Sequence, residues 1–111
     1  MLPALQEKLP QLRDLCRVHR VRRLEVFGSA ARGDDNGANG HVFDPQRSDF
    51  DFLVEFESLP LGERARHFFA LEADLRRLFN RDVDLAEPAG IRNRFVRESI
   101  EQSKVLLYAA A

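Results

Sequence analysis

The hydrophobic positions in the first quarter of the chain change from a helical period to an alternating one. Over residues 2–16 the apolar side chains recur every three or four positions, which predicts a helix. They are Leu2, Leu5, Leu9, Leu12, Leu15 and Cys16. Pro10 interrupts the pattern, so either one helix kinks there or a second helix begins with Pro10 near its first position. Residues 21–27 alternate as in a strand, with Leu24 and Val26 on one side.

Alternation returns after a polar, glycine-rich stretch. A second strand is predicted over residues 49–56, where large apolar residues take every second position. These residues are Phe50, Phe52, Val54 and Phe56. Between the two strands, residues 30–33 can form a short helical turn. Ser58 and Pro60 then suit the start of a helix whose apolar stripe extends to Phe79.

The last part of the chain predicts one more strand and one more helix. Residues 82–86 form a short strand, and Pro88 opens a helix that carries Ile91, Phe95, Val96 and Ile100. Residues 105–108 end as a strand or a docked tail. The order of helix, strand, strand, helix, strand and helix predicts a small α/β (α+β) domain with a sheet covered mainly on one face.

Length and composition set limits on the function. The chain has 111 residues, which fits a single domain over residues 1–111. Its formal net charge of −1 provides no global field that attracts nucleic acid. The single cysteine, Cys16, excludes an internal disulfide framework and is expected in the core. We see no signal peptide and no apolar run near the ~20 residues of a membrane span, so we expect a cytoplasmic protein.

Several charged residues have ordinary structural explanations. Arginines cluster within residues 17–23 and again within residues 92–97, where either cluster can meet an acidic partner or RNA. Because acidic residues are scattered nearby, a solvated face is the preferred interpretation of both clusters. We expect His41 in a solvated loop and His19 and His67 at the surface beside helices.

Two aspartates one residue apart carry the strongest chemical signal. Side chains on a strand alternate between faces, so Asp49 and Asp51 point the same way, with Cα atoms roughly 6.5–7 Å apart. Carboxylates at that spacing repel each other unless a cation lies between them, and Mg²⁺ prefers oxygen ligands. The alternative is a solvated polar face on an edge strand.

Two further features fit the same chemistry. Gly28 and Ser29 follow a predicted strand, where glycine allows close approach of a ligand and backbone N–H groups at a helix start bind anions such as a triphosphate. The alternative is an ordinary strand-to-helix turn. Asp82 and Asp84 point away from the core, and one of them can be a third acidic group that holds a second metal or accepts a proton. The alternative is a surface strand end.

Together these motifs resemble the minimal nucleotidyltransferase (MNT) family of the DNA-polymerase-β-like superfamily. The matching segments are Phe27-Gly28-Ser29-Ala30-Ala31-Arg32-Gly33, Ser48-Asp49-Phe50-Asp51-Phe52-Leu53-Val54-Glu55-Phe56 and Asp82-Val83-Asp84-Leu85. The resemblance implies a small mixed sheet with flanking helices, two Mg²⁺ ions and ATP. It implies that Asp49 and Asp51 are metal ligands, that Asp84 is the third acidic residue, that Gly28 and Ser29 form the phosphate-binding turn, and that Arg32 lies near the nucleotide.

One departure from the family is the separation between the two motifs. Nineteen residues lie between Ser29 and Asp49, more than the family usually has, and we place the insertion at about residues 34–47. A surface loop tolerates such an insertion because loop-closure entropy grows slowly with length. The inserted loop can gate ATP, contact a partner or obstruct the site.

The resemblance leads to three functional hypotheses. The first is transfer of AMP to a protein hydroxyl, in an antitoxin that adenylylates a tyrosine of a HEPN-type toxin. The second is a non-catalytic antitoxin that occludes its toxin. The third, ranked lowest, is nucleotidyl transfer to a small molecule or RNA. The expected partners are ATP and a HEPN-type protein, with self-association left open.

Overall fold

Four strands form the centre of the computed structural model, which describes residues 3–32 and 50–110. The strands are β1 (Val21–Phe27), β2 (Phe50–Phe56), β3 (Val83–Ala86) and β4 (Val105–Ala109). The helices are α1 (Pro3–Glu7), α2 (Leu9–Val18), α3 (Gly28–Arg32), α4 (Leu61–Phe79) and α5 (Arg94–Ser103), with a short 3₁₀ turn at Pro88–Gly90. Among the described residues, none of the helices combines the length and hydrophobicity needed to span a membrane.

The sheet is mixed, with strand order β3-β2-β1-β4. Strand β1 runs antiparallel to both β2 and β4, whereas β2 and β3 run parallel. In this register Asp51 pairs with Phe27 on one side and with Asp84 on the other. The predicted fold class, a small mixed sheet flanked by helices, is confirmed, and the register brings two acidic residues together at the end of β1.

The main core lies on one face of the sheet, as the alternation predicts. Phe50, Phe52 and Val54 of β2 are at most 1% exposed. They belong to a buried cluster to which α2 contributes Leu12 and Cys16 and α4 contributes Leu71 and Leu75. Burial raises the pKa of the Cys16 thiol to about 12, so this cysteine behaves as a core residue.

The opposite face of the sheet has a smaller apolar contact. Leu53 of β2 and Ile100 of α5 are both buried, and they line the same cleft. Helix α5 therefore covers part of the face to which Asp51 points, while α2 and α4 cover the other. Phe95 and Val96, in the first turn of α5, remain 67% and 47% exposed. The face that carries the acidic residues is thus only partly closed.

Helix boundaries differ from the sequence prediction in one place. Pro10 lies in the first turn of α2, so the alternative of a second helix is the correct one. Pro88, however, opens only the 3₁₀ turn, and α5 begins at Arg94. The side-chain oxygen of Asn93 caps α5 by accepting hydrogen bonds from the backbone N–H groups of Phe95 and Val96 at 2.9 and 3.2 Å. Asn93 therefore marks the start of α5, and the prediction that Pro88 opens this helix is wrong.

The expectation that His19 lies at the surface is wrong. His19 is only 7% exposed, and its Nε2 lies 2.7 Å from Oδ2 of Asp74 in α4. Its Nδ1 lies 3.3 Å from Nδ1 of His67. A buried polar ring must find such partners, because an unpaired polar group costs free energy. These contacts join the end of α2 to α4.

The first arginine cluster is solvated and paired. Arg20 donates a hydrogen bond to Glu57 at 2.9 Å, and Arg17 pairs with Asp14 at 2.8 Å. Both pairs are largely exposed, so each contributes little to stability. This agrees with the interpretation of the cluster as a solvated face.

Candidate active site

The end of β1 and the start of the β2–β3 pair form the candidate site. Asp51 and Asp84 are in-register partners on parallel strands, which lie about 4.8 Å apart. Val83 and Leu85 on either side of Asp84 are buried in the core, as are the neighbours of Asp51. Both carboxylates therefore lie on the face opposite the core, with Asp51 half-buried and Asp84 exposed.

Gly28 approaches Asp51 more closely than any other residue type would allow. Its φ of +74° lies in the left-handed region, where side chains are strained. A Cβ atom at this position would lie 3.0 Å from Oδ2 of Asp51, closer than an ordinary van der Waals contact. The absence of a side chain at Gly28 thus lets the sharp turn from β1 into α3 pack directly against the carboxylate of Asp51.

A residue outside the motifs holds this turn. The backbone N–H of Gly28 donates a hydrogen bond to Oγ of Ser103, at 3.2 Å. The Ser103 hydroxyl in turn donates to the carbonyl of Ser99 at 3.2 Å. Local sequence patterns do not reveal the contact of Ser103 with Gly28, because the two residues lie 75 positions apart.

These residues line one cleft of about 450 Å³, within the range of small-molecule sites. Its walls are formed by Phe27, Gly28, Asp51, Asn93, Phe95, Val96, Ser99, Ile100 and Ser103. One end carries the carboxylate and the glycine turn, and the other end carries the exposed apolar side chains of α5. A cleft of about 480 Å³ near the end of β2 is slightly larger, but its Arg64 and Glu87 lie 3.5 Å apart as an ion pair. The chemistry favours the cleft at Asp51.

Three predicted site residues, Asp49, Ser29 and Arg32, lie wholly or partly outside the part of the chain that the structure describes. Asp49 and the insertion at residues 34–47 lie outside the described residues, as do the side chains of Ser29 and Arg32. The backbone of Ser29 and Arg32 lies in α3. Continuing the alternation of β2 by one residue predicts Asp49 on the face of Asp51. The roles of these residues remain predictions.

The donor set fits a divalent cation. Asp51 and Asp84 present carboxylate oxygens from adjacent strands on one face, which are the ligands that Mg²⁺ prefers. Oδ2 of Asp51 lies close to the Gly28 turn, and both residues line the cleft. Within residues 3–32 and 50–110, no group of three metal-ligating side chains is assembled.

Comparison with known proteins decides the family. The family model described as "Nucleotidyltransferase domain" matches residues 9–107. The chain belongs to this family. The resemblance read from the glycine turn and the aspartates is confirmed, and the protein is a nucleotidyltransferase.

Individual relatives agree with this assignment. The Methanocaldococcus jannaschii protein called "Putative protein adenylyltransferase MJ0128" is 30% identical over 87% of this chain and 95% of its own length. A solved structure described as a "putative minimal nucleotidyltransferase" is 30% identical, with a TM-score of 0.59 over 91% of this chain and 90% of that one. A structure of a tri-AMPylated Shewanella oneidensis HEPN toxin in complex with MNT antitoxin matches at a TM-score of 0.51, with 16% identity over 95% and 72% of the two chains. At that identity, this last likeness concerns the fold alone.

Proposed function

We propose that this nucleotidyltransferase transfers AMP from ATP to a hydroxyl group of a partner protein, in a reaction that depends on Mg²⁺. The observation that carries the proposal is the pairing of Asp51 with Asp84 beside Gly28, on the open face of the sheet. This arrangement places the carboxylate of Asp51 next to the glycine turn, in the wall of the cleft. An adenylyl group is proposed because one relative is named as a protein adenylyltransferase.

The residues of this chain divide the work as follows. Asp49 and Asp51 hold Mg²⁺, which neutralises the charge of the phosphates when it is bound. Gly28, Ser29 and Arg32 receive the triphosphate of ATP. Asp84 either accepts the proton of the attacking hydroxyl or holds a second metal ion.

The reaction is a displacement at the α-phosphorus of ATP. The acceptor oxygen forms a bond to the α-phosphorus, the bond from that phosphorus to the oxygen bridging the β-phosphate breaks, and pyrophosphate leaves. Little covalent chemistry falls to the protein, so its contribution is to position the reactants and to stabilise charge. The half-buried position of Asp51 strengthens its interaction with a cation relative to water.

The proposed acceptor is a tyrosine of a HEPN-type toxin, which the protein would neutralise as an antitoxin. Support comes from the shared fold with the MNT antitoxin of the Shewanella oneidensis complex. The cleft also suits a protein acceptor, since exposed Phe95 and Val96 adjoin the acidic end. Aromatic side chains such as Phe95 are enriched at protein interfaces.

The direct test is AMP transfer to the partner protein. The purified protein is incubated with ATP labelled at the α-phosphate, Mg²⁺ and a candidate HEPN-type partner protein from the same organism. We expect label on the partner with the wild type and with Asp14→Asn, an exposed aspartate of α2. We expect no label with Asp51→Asn. Equal labelling by Asp51→Asn and Asp14→Asn would overturn the catalytic assignment.

The second candidate is a binding function without catalysis. It is favoured by one observation, the exposed apolar side chains Phe95 and Val96 of α5. A non-catalytic antitoxin should neutralise the toxin in cells even with Asp49→Asn and Asp51→Asn combined. An adenylyltransferase should lose neutralisation with that double variant. Co-expression of toxin and variant, scored by growth, separates the two functions.

A further inference from the structure

We propose that Ser103 is a positioning residue of the active site, whose hydroxyl holds the Gly28 turn against Asp51. The inference rests on the proposed function, because the turn matters only if Asp51 and the adjacent space receive the metal ion and the nucleotide. Ser103 lies outside the glycine turn and the acidic motifs, and it reaches the site from the last residue of α5.

The hydroxyl of Ser103 is oriented by its own helix. It donates to the carbonyl of Ser99, one turn earlier in α5, and this leaves its lone pairs directed to other donors. The N–H of Gly28 is such a donor. The chain of hydrogen bonds from Ser99 through Ser103 to Gly28 therefore joins α5 to the turn between β1 and α3.

The turn needs an external contact because glycine does not hold its own conformation. Glycine populates positive and negative φ about equally, so the φ of +74° at Gly28 is allowed but not enforced by the backbone. The hydrogen bond to Ser103 selects this conformation. Since Gly28 packs closely against Oδ2 of Asp51, a rotation of the turn would disturb the position of that carboxylate.

The position of Ser103 is fixed by the contacts that the next two residues make with β1. The following Lys104 pairs with Glu25 of β1 at 3.4 Å, and Glu25 is only 4% exposed. Val105 then begins β4, where it pairs with Val26, two residues before Gly28. The hydroxyl and the turn are thus attached to the same strand, which fixes the distance between them.

The same contact refines the predicted role of Gly28. Its N–H is already bonded to Ser103, so its contribution to the nucleotide site is its close approach to Asp51 rather than a donor for phosphate. A residue with a side chain at this position would lose that close approach even though the N–H remained.

The test compares Ser103→Ala with Ser103→Thr, which keeps a hydroxyl able to bond the carbonyl one turn back. Gln102→Ala is the matched control, because Gln102 is the exposed neighbour in the same helical turn. The first measurement is amide hydrogen exchange of Gly28 by NMR in the protein without nucleotide. We expect exchange about three- to tenfold faster in Ser103→Ala, the range expected for one hydrogen bond, and near wild-type rates in the other two variants.

The second measurement is the kinetics of AMP transfer to the HEPN protein, with calorimetric binding of Mg²⁺ and AMP-PNP. We expect kcat about three- to tenfold lower in Ser103→Ala, with transfer restored in Ser103→Thr. Because Ser103 contacts the Gly28 turn and lies at the opposite end of α5 from Phe95 and Val96, KM for the HEPN protein should change less than kcat.

The outcomes separate this inference from the proposed function. Unchanged exchange of Gly28 in Ser103→Ala, or faster exchange with unchanged kcat, would overturn the role of Ser103 while leaving adenylylation intact. A wild type that neither transfers AMP nor binds Mg²⁺ and AMP-PNP would overturn both. A loss of kcat that Ser103→Thr does not restore would also contradict the positioning role.

Discussion

Asp51 and Asp84 are partners in the parallel pairing of β2 with β3, and both lie on the face of the sheet opposite the core. Two carboxylates placed side by side repel each other, and a cation between them removes that repulsion. The shared register is therefore what makes Asp51 and Asp84 a candidate catalytic pair.

The register selects Asp84 over Asp82 as the third acidic residue. The carbonyl of Asp82 accepts a hydrogen bond from the backbone N–H of Phe50, whereas Asp84 is the partner of Asp51. We predict that Asp84→Asn lowers the rate of AMP transfer about 100-fold or more, the usual range for loss of a general base. Asp82→Asn should remain within about threefold of the wild type, since it keeps the backbone contact. Steady-state transfer rates of both variants check this, and equal losses would contradict the assignment.

Substitution of Gly28 should damage both stability and activity. In Gly28→Ala the new methyl group would meet Oδ2 of Asp51 at 3.0 Å and would sit at a φ of +74°. We predict a loss of about 1–3 kcal/mol in the free energy of unfolding, with AMP transfer reduced more than tenfold. Urea unfolding and transfer rates measure the two effects.

Gly62→Ala is the matched control for Gly28→Ala. Gly62 lies in α4, and a Cβ there meets nothing within 4 Å. Alanine in a helix is favoured by about 0.5–1 kcal/mol, so this variant should be at least as stable as the wild type and fully active. A Gly28→Ala protein with the stability and activity of Gly62→Ala would show that the close approach to Asp51 is unimportant.

The contact between His19 and Asp74 should make stability depend on pH. The hydrogen bond with His19 lowers the pKa of Asp74, burial opposes the change, and Arg77 lowers it further. A carboxylate whose pKa is lower in the folded state stabilises the fold above its unfolded pKa of about 3.9, and this contribution is lost as the pH falls through the folded pKa. We predict that Asp74→Asn is about 1–2 kcal/mol less stable than the wild type at pH 7.

The pH profile of that difference is the decisive measurement. Urea unfolding between pH 7 and pH 3 should show the gap between wild type and Asp74→Asn narrowing below about pH 4. Asp14→Asn, which removes an exposed pair with Arg17, should stay within about 0.5 kcal/mol of the wild type throughout. If the difference in the free energy of unfolding between wild type and Asp74→Asn does not change with pH, the ionised carboxylate of Asp74 is not the cause of that difference.

The exposed end of α5 should affect binding of the acceptor protein rather than the stability of the fold. Phe95 is 67% exposed, so Phe95→Ala should change the free energy of unfolding by less than about 0.5 kcal/mol. If the cleft receives the acceptor protein, Phe95→Ala should raise KM for that protein at least fivefold, in the range of an interface anchor. Val18→Ala, equally exposed on α2, is the control. Identical kinetics of the two variants would exclude this end of the cleft as the acceptor site.

Local patterns in the sequence were sufficient for the strands and the main core. The predicted bounds of β1 are those observed, and Phe50, Phe52 and Val54 face the core as their alternation requires. Large apolar residues at every second position leave only one way for a strand to bury them. The predicted start of α5 is wrong because Pro88 also suits a 3₁₀ turn. The helix is instead capped by Asn93, which the prediction did not use.

The sequence by itself determined the family, the face of Asp51 and the acidic motif, because each of these depends on residues close together in the chain. Only the tertiary structure decided that Ser103 holds Gly28, that His19 is buried against Asp74, and that Asp84 pairs with Asp51. These partners lie far apart along the chain, and periodicity describes a single element at a time. Which elements meet is decided by the packing of helices on the sheet, where burial and hydrogen bonding must be satisfied together.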